Sequence, residues 1–227
     1  MIFTLPCCRI YCRLRQIETN LKPIPVNLIT GFLGTGKTTG ISSLLRQRPP
    51  HEHWAVLIND FGQTSIDPTK FQNGAGVTVR EVPGGCPCCT AQVQMRVTLT
   101  RLLREVKPIR LLIEPSSLGH LAAFIDLLRD QWLVQALTLR ATCCMIDPRQ
   151  FADPRYFSSP IYQEQLSAAD VLIVNQNDLV TPNQMDAFIA FADQIQPPKL
   201  RAVKTALDAA CLDWDPSRDA EIPEGMT

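Results

Sequence analysis

A glycine-rich segment at residues 31–38 constrains this chain more than any other feature. The segment reads Gly-Phe-Leu-Gly-Thr-Gly-Lys-Thr, with glycine, lysine and threonine at the positions that the P-loop pattern requires. Glycine lets the backbone turn so that its N–H groups converge on a polyphosphate. Lys37 supplies a positive charge for the outer phosphates, and the Thr38 hydroxyl is a ligand for Mg²⁺. The nucleotide-binding residues that this loop predicts are Gly31, Phe32, Leu33, Gly34, Thr35, Gly36, Lys37, Thr38 and Thr39.

The residues around this loop have the strand–loop–helix context in which a P-loop works. Val26–Thr30 is a short run typical of a buried strand, and Ile41, Leu44 and Leu45 follow the loop at helical spacing. The loop therefore opens a helix whose N-terminal N–H groups face a bound anion. An ordinary glycine-rich turn requires neither neighbour, so we interpret the segment as a nucleotide-binding site.

Apolar runs typical of strands alternate with helical patterns along most of the chain. The alternation extends from Val26 to about Ile195 and predicts a mostly parallel sheet with helices on both faces. The predicted fold class is α/β, a P-loop NTPase three-layer sandwich with a mostly parallel β-sheet. Ligands of such folds bind at the carboxyl ends of the strands. The later predicted strands are Trp54–Ile58, Val77–Val82, Ile109–Ile113, one within Leu137–Ile146, and Val171–Val174.

The same pattern divides the chain into three segments. Residues 1–22 carry no periodic pattern and are predicted to be an irregular N-terminal extension. Residues 23–205 are predicted to form the nucleotide-binding domain. Residues 206–227 are predicted to form a polar C-terminal tail, because the helical and strand patterns weaken after Gln196.

Composition excludes two classes of partner. Lysine plus arginine and aspartate plus glutamate number 22 each in 227 residues, and neither sign forms a block. This balance argues against a nucleic-acid partner and against a polybasic membrane tether. No run approaches the roughly 18 apolar residues that a membrane span needs. Nine cysteines fall partly in adjacent pairs that seldom bridge, so we expect reduced thiols and a cytoplasmic location.

Three thiols stand close together at Cys86, Cys88 and Cys89. They lie on a turn with two glycines and two prolines, so the sulfur atoms can converge on one soft metal ion. Zn²⁺ bound as thiolates is the leading candidate and Cu(I) is an alternative; a reactive or redox thiol cluster is the other interpretation. Cys143 and Cys144 lie inside an apolar strand and are predicted to be core residues.

Two further polar groups follow predicted strands. Glu114 ends an apolar run and has the form of the carboxylate that holds Mg²⁺, directly or through water; a solvated strand end is the alternative. Asn175 and Asp178 belong to an Asn-Gln-Asn-Asp segment after the last strong strand, where GTPases carry Asn-Lys-x-Asp. The aspartate of that motif accepts hydrogen bonds from guanine, so we predict guanine selection. Gln176 replaces the lysine, and a polar turn or an ATP-using enzyme is the alternative.

Five motifs occur in one order along the chain: Gly31–Thr39, Asn59–Gly62 with Ile66-Asp67, Gly84–Cys89, Glu114–Ser116 and Asn175–Asp178. Together they resemble one protein family, the CobW-type P-loop GTPases, which are relatives of the hydrogenase- and urease-maturation GTPases. The likeness covers about Asn27 to Asp178, and the Gly-Gly-Cys-x-Cys-Cys element is its most specific part. It implies a cytosolic metallochaperone that hydrolyses GTP, carries metal on its cysteines and delivers it to a client metalloprotein.

The chain also departs from the family pattern. Asp60 and Gln63 stand where the family has glutamates, and Ser117 stands where a glycine is common. The nucleotide-binding pattern ends shortly before residue 227, so we expect that the family's usual C-terminal domain is missing; a truncated paralogue is an alternative. These departures bear on hydrolysis, metal affinity and partner docking rather than on phosphate binding.

The resulting hypothesis is a Mg²⁺-dependent GTPase whose nucleotide state controls a Zn²⁺ site. Lys37 holds the outer phosphates, Thr38 and Glu114 hold Mg²⁺, and Gln63 is the candidate for orienting water. Residues 60–67 would form a switch segment that senses the γ-phosphate. We expect slow turnover without a partner, and the sequence is compatible with a homo-oligomer. The rivals are a non-catalytic metal- and nucleotide-binding module and an ATP-using P-loop enzyme.

Overall fold

The computed structural model describes residues 22–60, 76–83, 91–151, 153–175, 180–192, 200–204 and 207–213. Within these ranges the chain forms one sheet of seven strands, and every neighbouring pair is parallel. The strands are β1 (Ile24–Thr30), β2 (Trp54–Asp60), β3 (Val77–Pro83), β4 (Arg110–Glu114), β5 (Leu137–Ile146), β6 (Val171–Val174) and β7 (Leu200–Lys204). Their order in the sheet is β3-β2-β4-β1-β5-β6-β7.

Helices cover both faces of this sheet. The helices of the described ranges are α1 (Lys37–Gln47), α2 (Ala91–Val106), α3 (Leu121–Leu128), α4 (Pro148–Phe151), α5 (Pro154–Phe157), α6 (Pro160–Ala168), α7 (Pro182–Ala192) and α8 (Ala209–Asp213). Along β2, Val56 and Ile58 belong to a core cluster shared with α1 and α8, whereas Ala55 and Leu57 belong to a cluster shared with α2 and α3. A third cluster joins β5 and β6 to α6 and α7.

This arrangement confirms the predicted α/β three-layer sandwich. The central strands are buried on both faces: Leu111, Leu112 and Ile113 of β4 are fully buried. Strands covered on both faces read as continuous apolar runs rather than alternating ones, which is why the sequence pattern found them. No helix in the described ranges is long and apolar enough to cross a membrane.

Residues 207–213 differ from the predicted polar tail that begins at residue 206. Leu207, Cys211 and Leu212 are buried in the core cluster that contains α1. The side chain of Asn27 in β1 donates to the Leu212 carbonyl over 3.0 Å. The described fold therefore continues to Asp213. The five-residue helix carries only two of these buried residues, which is too short a pattern to stand out in the sequence.

Candidate nucleotide-binding site

The P-loop connects β1 to α1 at the carboxyl end of the sheet. Gly31 has φ 142° and Gly36 has φ 82°, so both occupy backbone conformations that favour glycine. A side chain at Gly31 would collide with the Met145 carbonyl of β5, and one at Gly36 would collide with the amide of Asn175. Strand β5 and the residue that follows β6 thus approach the loop so closely that a side chain at either glycine would collide with them. This backbone cradle matches what a bound polyphosphate requires.

Lys37 is the first residue of α1, and its side chain is only 7% exposed. Its Nζ donates to the Phe32 carbonyl over 3.1 Å and to the Ser117 hydroxyl over 2.6 Å. A buried ammonium is costly unless it is hydrogen-bonded and balanced by negative charge. The site therefore holds a cation that is suited to the outer phosphates of a nucleotide.

Thr38 and Glu114 meet where β4 ends beside the P-loop. The Thr38 hydroxyl donates to Glu114 Oε1 over 3.3 Å, with Oε2 at 3.5 Å. β4 is adjacent to β1 in the sheet, with Ile113 opposite Leu28, which brings the strand-terminal carboxylate to the loop. A hydroxyl and a carboxylate are oxygen ligands of the kind that Mg²⁺ prefers, so this pair fits the predicted ion.

Asn175 follows β6 and contacts the P-loop directly. Its Nδ2 donates to the Thr35 carbonyl over 2.8 Å, and its backbone N–H donates to the Ile146 carbonyl at the same distance. The segment predicted to read guanine is therefore joined to the phosphate loop at its first residue. Asp178, the predicted guanine-selecting carboxylate, lies outside the described residues.

Asn59 is a further polar residue at the carboxyl end of the sheet. It lies near the end of β2, is 1% exposed, and neither its Nδ2 nor its Oδ1 has a hydrogen-bond partner in the part of the chain that the structure describes. A buried amide with both groups unpaired is unfavourable. The position marks a place where bound solvent or ligand would satisfy polar atoms. Asn59 belongs to the Asn59–Gly62 motif, but the sequence analysis did not predict it as a site residue.

The predicted zinc ligands Cys86, Cys88 and Cys89 lie outside the described residues, as does Gln63. Over the described ranges no group of three or more histidine, cysteine, aspartate or glutamate side chains could hold a metal ion.

Cys143 and Cys144 are core residues, as predicted from the sequence. Both thiols are buried, and burial raises the pKa of the Cys143 thiol well above its usual value. Cys143 therefore stays a neutral thiol rather than the thiolate that binds metal.

Sequence reasoning missed the contacts that surround the P-loop. Gln150 of α4 donates from Nε2 to the Leu33 carbonyl over 2.7 Å, and the Ser117 hydroxyl accepts from Lys37 Nζ.

Two Asp-Pro-Arg segments, at 147–149 and 153–155, flank a groove of about 570 Å³ beside the loop. In each segment the aspartate forms an ion pair with the arginine. The repeat was a readable signal, since Asp followed by Pro marks a helix start.

Comparison with known proteins identifies the family. Residues 25–201 match the CobW/HypB/UreG nucleotide-binding domain. The chain belongs to this family. It is 46% identical over 161 residues to the zinc chaperone YeiR of Escherichia coli K12, a match that covers 71% of this chain and 49% of YeiR. It is 30% identical over 198 residues to the zinc chaperone CobW of Sinorhizobium sp, covering 75% of this chain and 55% of that protein.

Two solved structures share the fold of this chain. Zn(II)-bound YjiA GTPase from E. coli superposes with a TM-score of 0.60 at 22% identity, covering 84% of this chain and 61% of YjiA. The hydrogenase maturation factor HypB from Archaeoglobus fulgidus gives 0.51 at 17% identity, covering 78% of each chain. At these identities the likeness shows the fold alone. This chain spans about half the length of the curated relatives that it matches.

Proposed function

We propose that this protein is a GTPase that couples GTP binding and hydrolysis to the binding and delivery of Zn²⁺. The observation that carries the proposal is the buried Lys37 beside the Thr38–Glu114 pair, at the mouth of a glycine cradle. The cation suits the phosphates of a triphosphate, and the hydroxyl and carboxylate beside it suit the Mg²⁺ that accompanies those phosphates. The zinc-chaperone names of YeiR and CobW support the metal part of the proposal.

In the proposed site each group has one role. Lys37 and the loop N–H groups hold the β- and γ-phosphates, while Thr38 and Glu114 hold or orient Mg²⁺. Asn175 supports the loop, and Asp178 selects guanine. Gln63 remains the candidate for orienting the attacking water. Bound Mg²⁺ would neutralise charge that develops on the phosphates during transfer.

The order of the strands supports a coupling between nucleotide and metal. β4, which ends at Glu114, lies beside β2, and β2 lies beside β3. The proposed switch segment continues from β2, and the chain leaves β3 at Pro83, shortly before Cys86. Parallel strands end at the same edge of a sheet, so we expect that a change in the residues that follow β2 would alter the position of those that follow β3. GTP hydrolysis would in this way alter thiolate geometry and metal affinity.

Phosphate release with GTP and Mg²⁺ tests the enzymatic part. We expect turnover of roughly 10⁻⁴ to 10⁻² s⁻¹ without a partner, as in GTPases that lack an external activator. Lys37→Ala should lower it by about 100-fold or more, because it removes the charge that faces the transferred phosphate. Excess ATP should compete poorly with labelled GTP.

Turnover equal to that of Lys37→Ala would reject the enzyme and favour a non-catalytic module. Equal competition by ATP would reject the role given to Asp178. Circular dichroism of both proteins controls for misfolding of the variant.

A Zn²⁺ titration of GDP-bound and GTP-analogue-bound protein tests the metal part. We expect one tight site per chain whose affinity differs between the two nucleotide states. Replacing Cys86, Cys88 and Cys89 with serine should abolish that site, since it removes the thiolates that Zn²⁺ prefers.

The matched control replaces three other cysteines with serine, Cys7, Cys8 and Cys12, and should leave the tight site intact. Loss of the site in the control, or its survival in the Cys86/Cys88/Cys89 variant, would place Zn²⁺ on other residues. Equal affinity in the two nucleotide states would reject the coupling.

A further inference from the structure

The P-loop lysine is hydrogen-bonded to a second loop as well as to its own. One acceptor of Lys37 Nζ, the Phe32 carbonyl, belongs to the P-loop and lies at 3.1 Å. A second acceptor, the Ser117 hydroxyl, belongs to the connection between β4 and α3 and lies closer, at 2.6 Å. The lysine ammonium stands on a flexible stem of four carbons, so its position varies unless it is held. Hydrogen bonds to two different loops fix the position of the Lys37 charge.

Helix α6 supports both acceptors of the lysine. Gln165 of α6 donates from Nε2 to the Ser117 carbonyl over 2.9 Å. Tyr162, one helical turn earlier, packs edge-on against the Phe32 ring with centroids 5.7 Å apart. Glu164 accepts hydrogen bonds from His120 Nδ1 and the Ala122 N–H, both at 3.0 Å, which holds the far end of the same connection.

Among the described residues, the Gln165 side chain makes one hydrogen bond, and its acceptor is the Ser117 carbonyl. The residue is 1% exposed, and its Oε1 has no hydrogen-bond partner among the described residues. An apolar side chain of similar size would avoid this unpaired acceptor. A buried glutamine is therefore a poor choice for stability alone, and its one bond fixes the backbone of the residue that contacts Lys37.

We propose that Ser117 is a positioning residue for the P-loop lysine, with Gln165 fixing its backbone, so that the Lys37 ammonium is held ready for the outermost phosphate of a nucleoside triphosphate. The inference rests on the proposed nucleotide binding at the P-loop. The Ser117 hydroxyl accepts from Lys37 and keeps its own proton, which it can donate to a phosphate oxygen. A nucleoside diphosphate lacks the outermost phosphate, so the positioned ammonium should increase its binding affinity less than that of a triphosphate.

Equilibrium binding of GDP and of a non-hydrolysable GTP analogue, both with Mg²⁺, tests the proposal. Ser117→Ala should weaken analogue binding about tenfold, the effect of losing one hydrogen bond to a charged group, and GDP binding by less than about threefold. Ser117→Thr keeps the hydroxyl and should restore most of the loss. The unfolding temperatures of the three proteins should agree, which shows that the substitutions leave the fold intact. A merely structural role for Ser117 would weaken the binding of both nucleotides alike.

Gln165→Met provides a second test through the backbone contact. It should weaken analogue binding in the same direction as Ser117→Ala, and the double variant should lose less than the two single losses combined, because both act on one contact. The control is Gln163→Met, on the exposed side of the same helix, which should bind as the parent does.

Equal losses for GDP and the analogue, or no rescue by threonine, would overturn the positioning role. So would unchanged binding by both Ser117→Ala and Gln165→Met. Failure of the proposed function has a different signature: the parent protein itself would bind neither guanine nucleotide better than Lys37→Ala.

Discussion

At the scale of single residues, the phosphate loop depends on positions where a side chain is excluded for two separable reasons. Gly34 and Gly36 have almost the same backbone, with φ of 79° and 82°. Their surroundings differ: the nearest atom to a side chain at Gly34 would be Gln150 Nε2 at 3.8 Å, whereas one at Gly36 would collide with Asn175. The pair separates backbone strain from steric collision.

Alanine at each position should therefore destabilise the protein to different degrees. Gly34→Ala should cost roughly 1–2 kcal/mol in the free energy of unfolding, the strain of a left-handed alanine. Gly36→Ala should cost about 1–3 kcal/mol more, because the collision also disrupts the hydrogen bond from Asn175 to the Thr35 carbonyl. Urea unfolding without nucleotide measures both.

Combining Gly36→Ala with Asn175→Ala removes the colliding amide and should recover part of the second cost. If Gly34→Ala and Gly36→Ala proved equally unstable, backbone strain alone would explain the loop. In that case the contact between the loop and Asn175 would contribute nothing measurable.

At the scale of elements, the sequence predicted those parts of the fold whose signal is local. β1, β2, β4 and β6 are short apolar runs buried on both faces, and each has a predicted counterpart. The P-loop was predictable because its glycines, lysine and threonine are contiguous. Glu114 was predictable because it ends an apolar strand, and its contact with Thr38 follows from the adjacency of β4 and β1.

The elements and contacts that escaped prediction depend on residues far apart in the chain. α4 and α5 have four residues each, too few for a helical period to appear, and β7 follows a stretch of weak pattern. Lys37 and Ser117 are 80 residues apart, and Gln165 reaches Ser117 across 48 residues. No local pattern encodes such pairs, since they arise only when the sheet brings its strand ends together.

At the scale of the whole molecule, the last described helix is tied to the strand that carries the P-loop. Asn27 in β1 donates from Nδ2 to the carbonyls of Ala141 and Leu212, each over 3.0 Å. Its Oδ1 accepts from Arg110 of β4 over 2.8 Å, and Arg110 also pairs with Asp213 of α8. One buried asparagine thus joins β1, β4, β5 and α8, so α8 and the P-loop strand should unfold as one cooperative unit.

Leu212→Ala tests this long-range connection. Leu212 is fully buried in the cluster that contains Ile29 and Ile41 on either side of the P-loop, so the substitution should reduce the free energy of unfolding by about 2–5 kcal/mol. That is a large share of the roughly 5–15 kcal/mol typical of a domain. Leu118→Ala makes the same change at a leucine that is 48% exposed and should cost less than about 1 kcal/mol.

Both variants are measured by urea unfolding followed by circular dichroism, with and without GDP. Bound nucleotide stabilises whatever unfolds together with the P-loop, so GDP should raise the urea midpoint of Leu212→Ala as it does that of the parent. If Leu212→Ala cost no more than Leu118→Ala, α8 would add nothing to the core. If GDP left the Leu212→Ala midpoint unchanged while raising that of the parent, the substitution would have abolished nucleotide binding, and the loss would not be one of global stability alone.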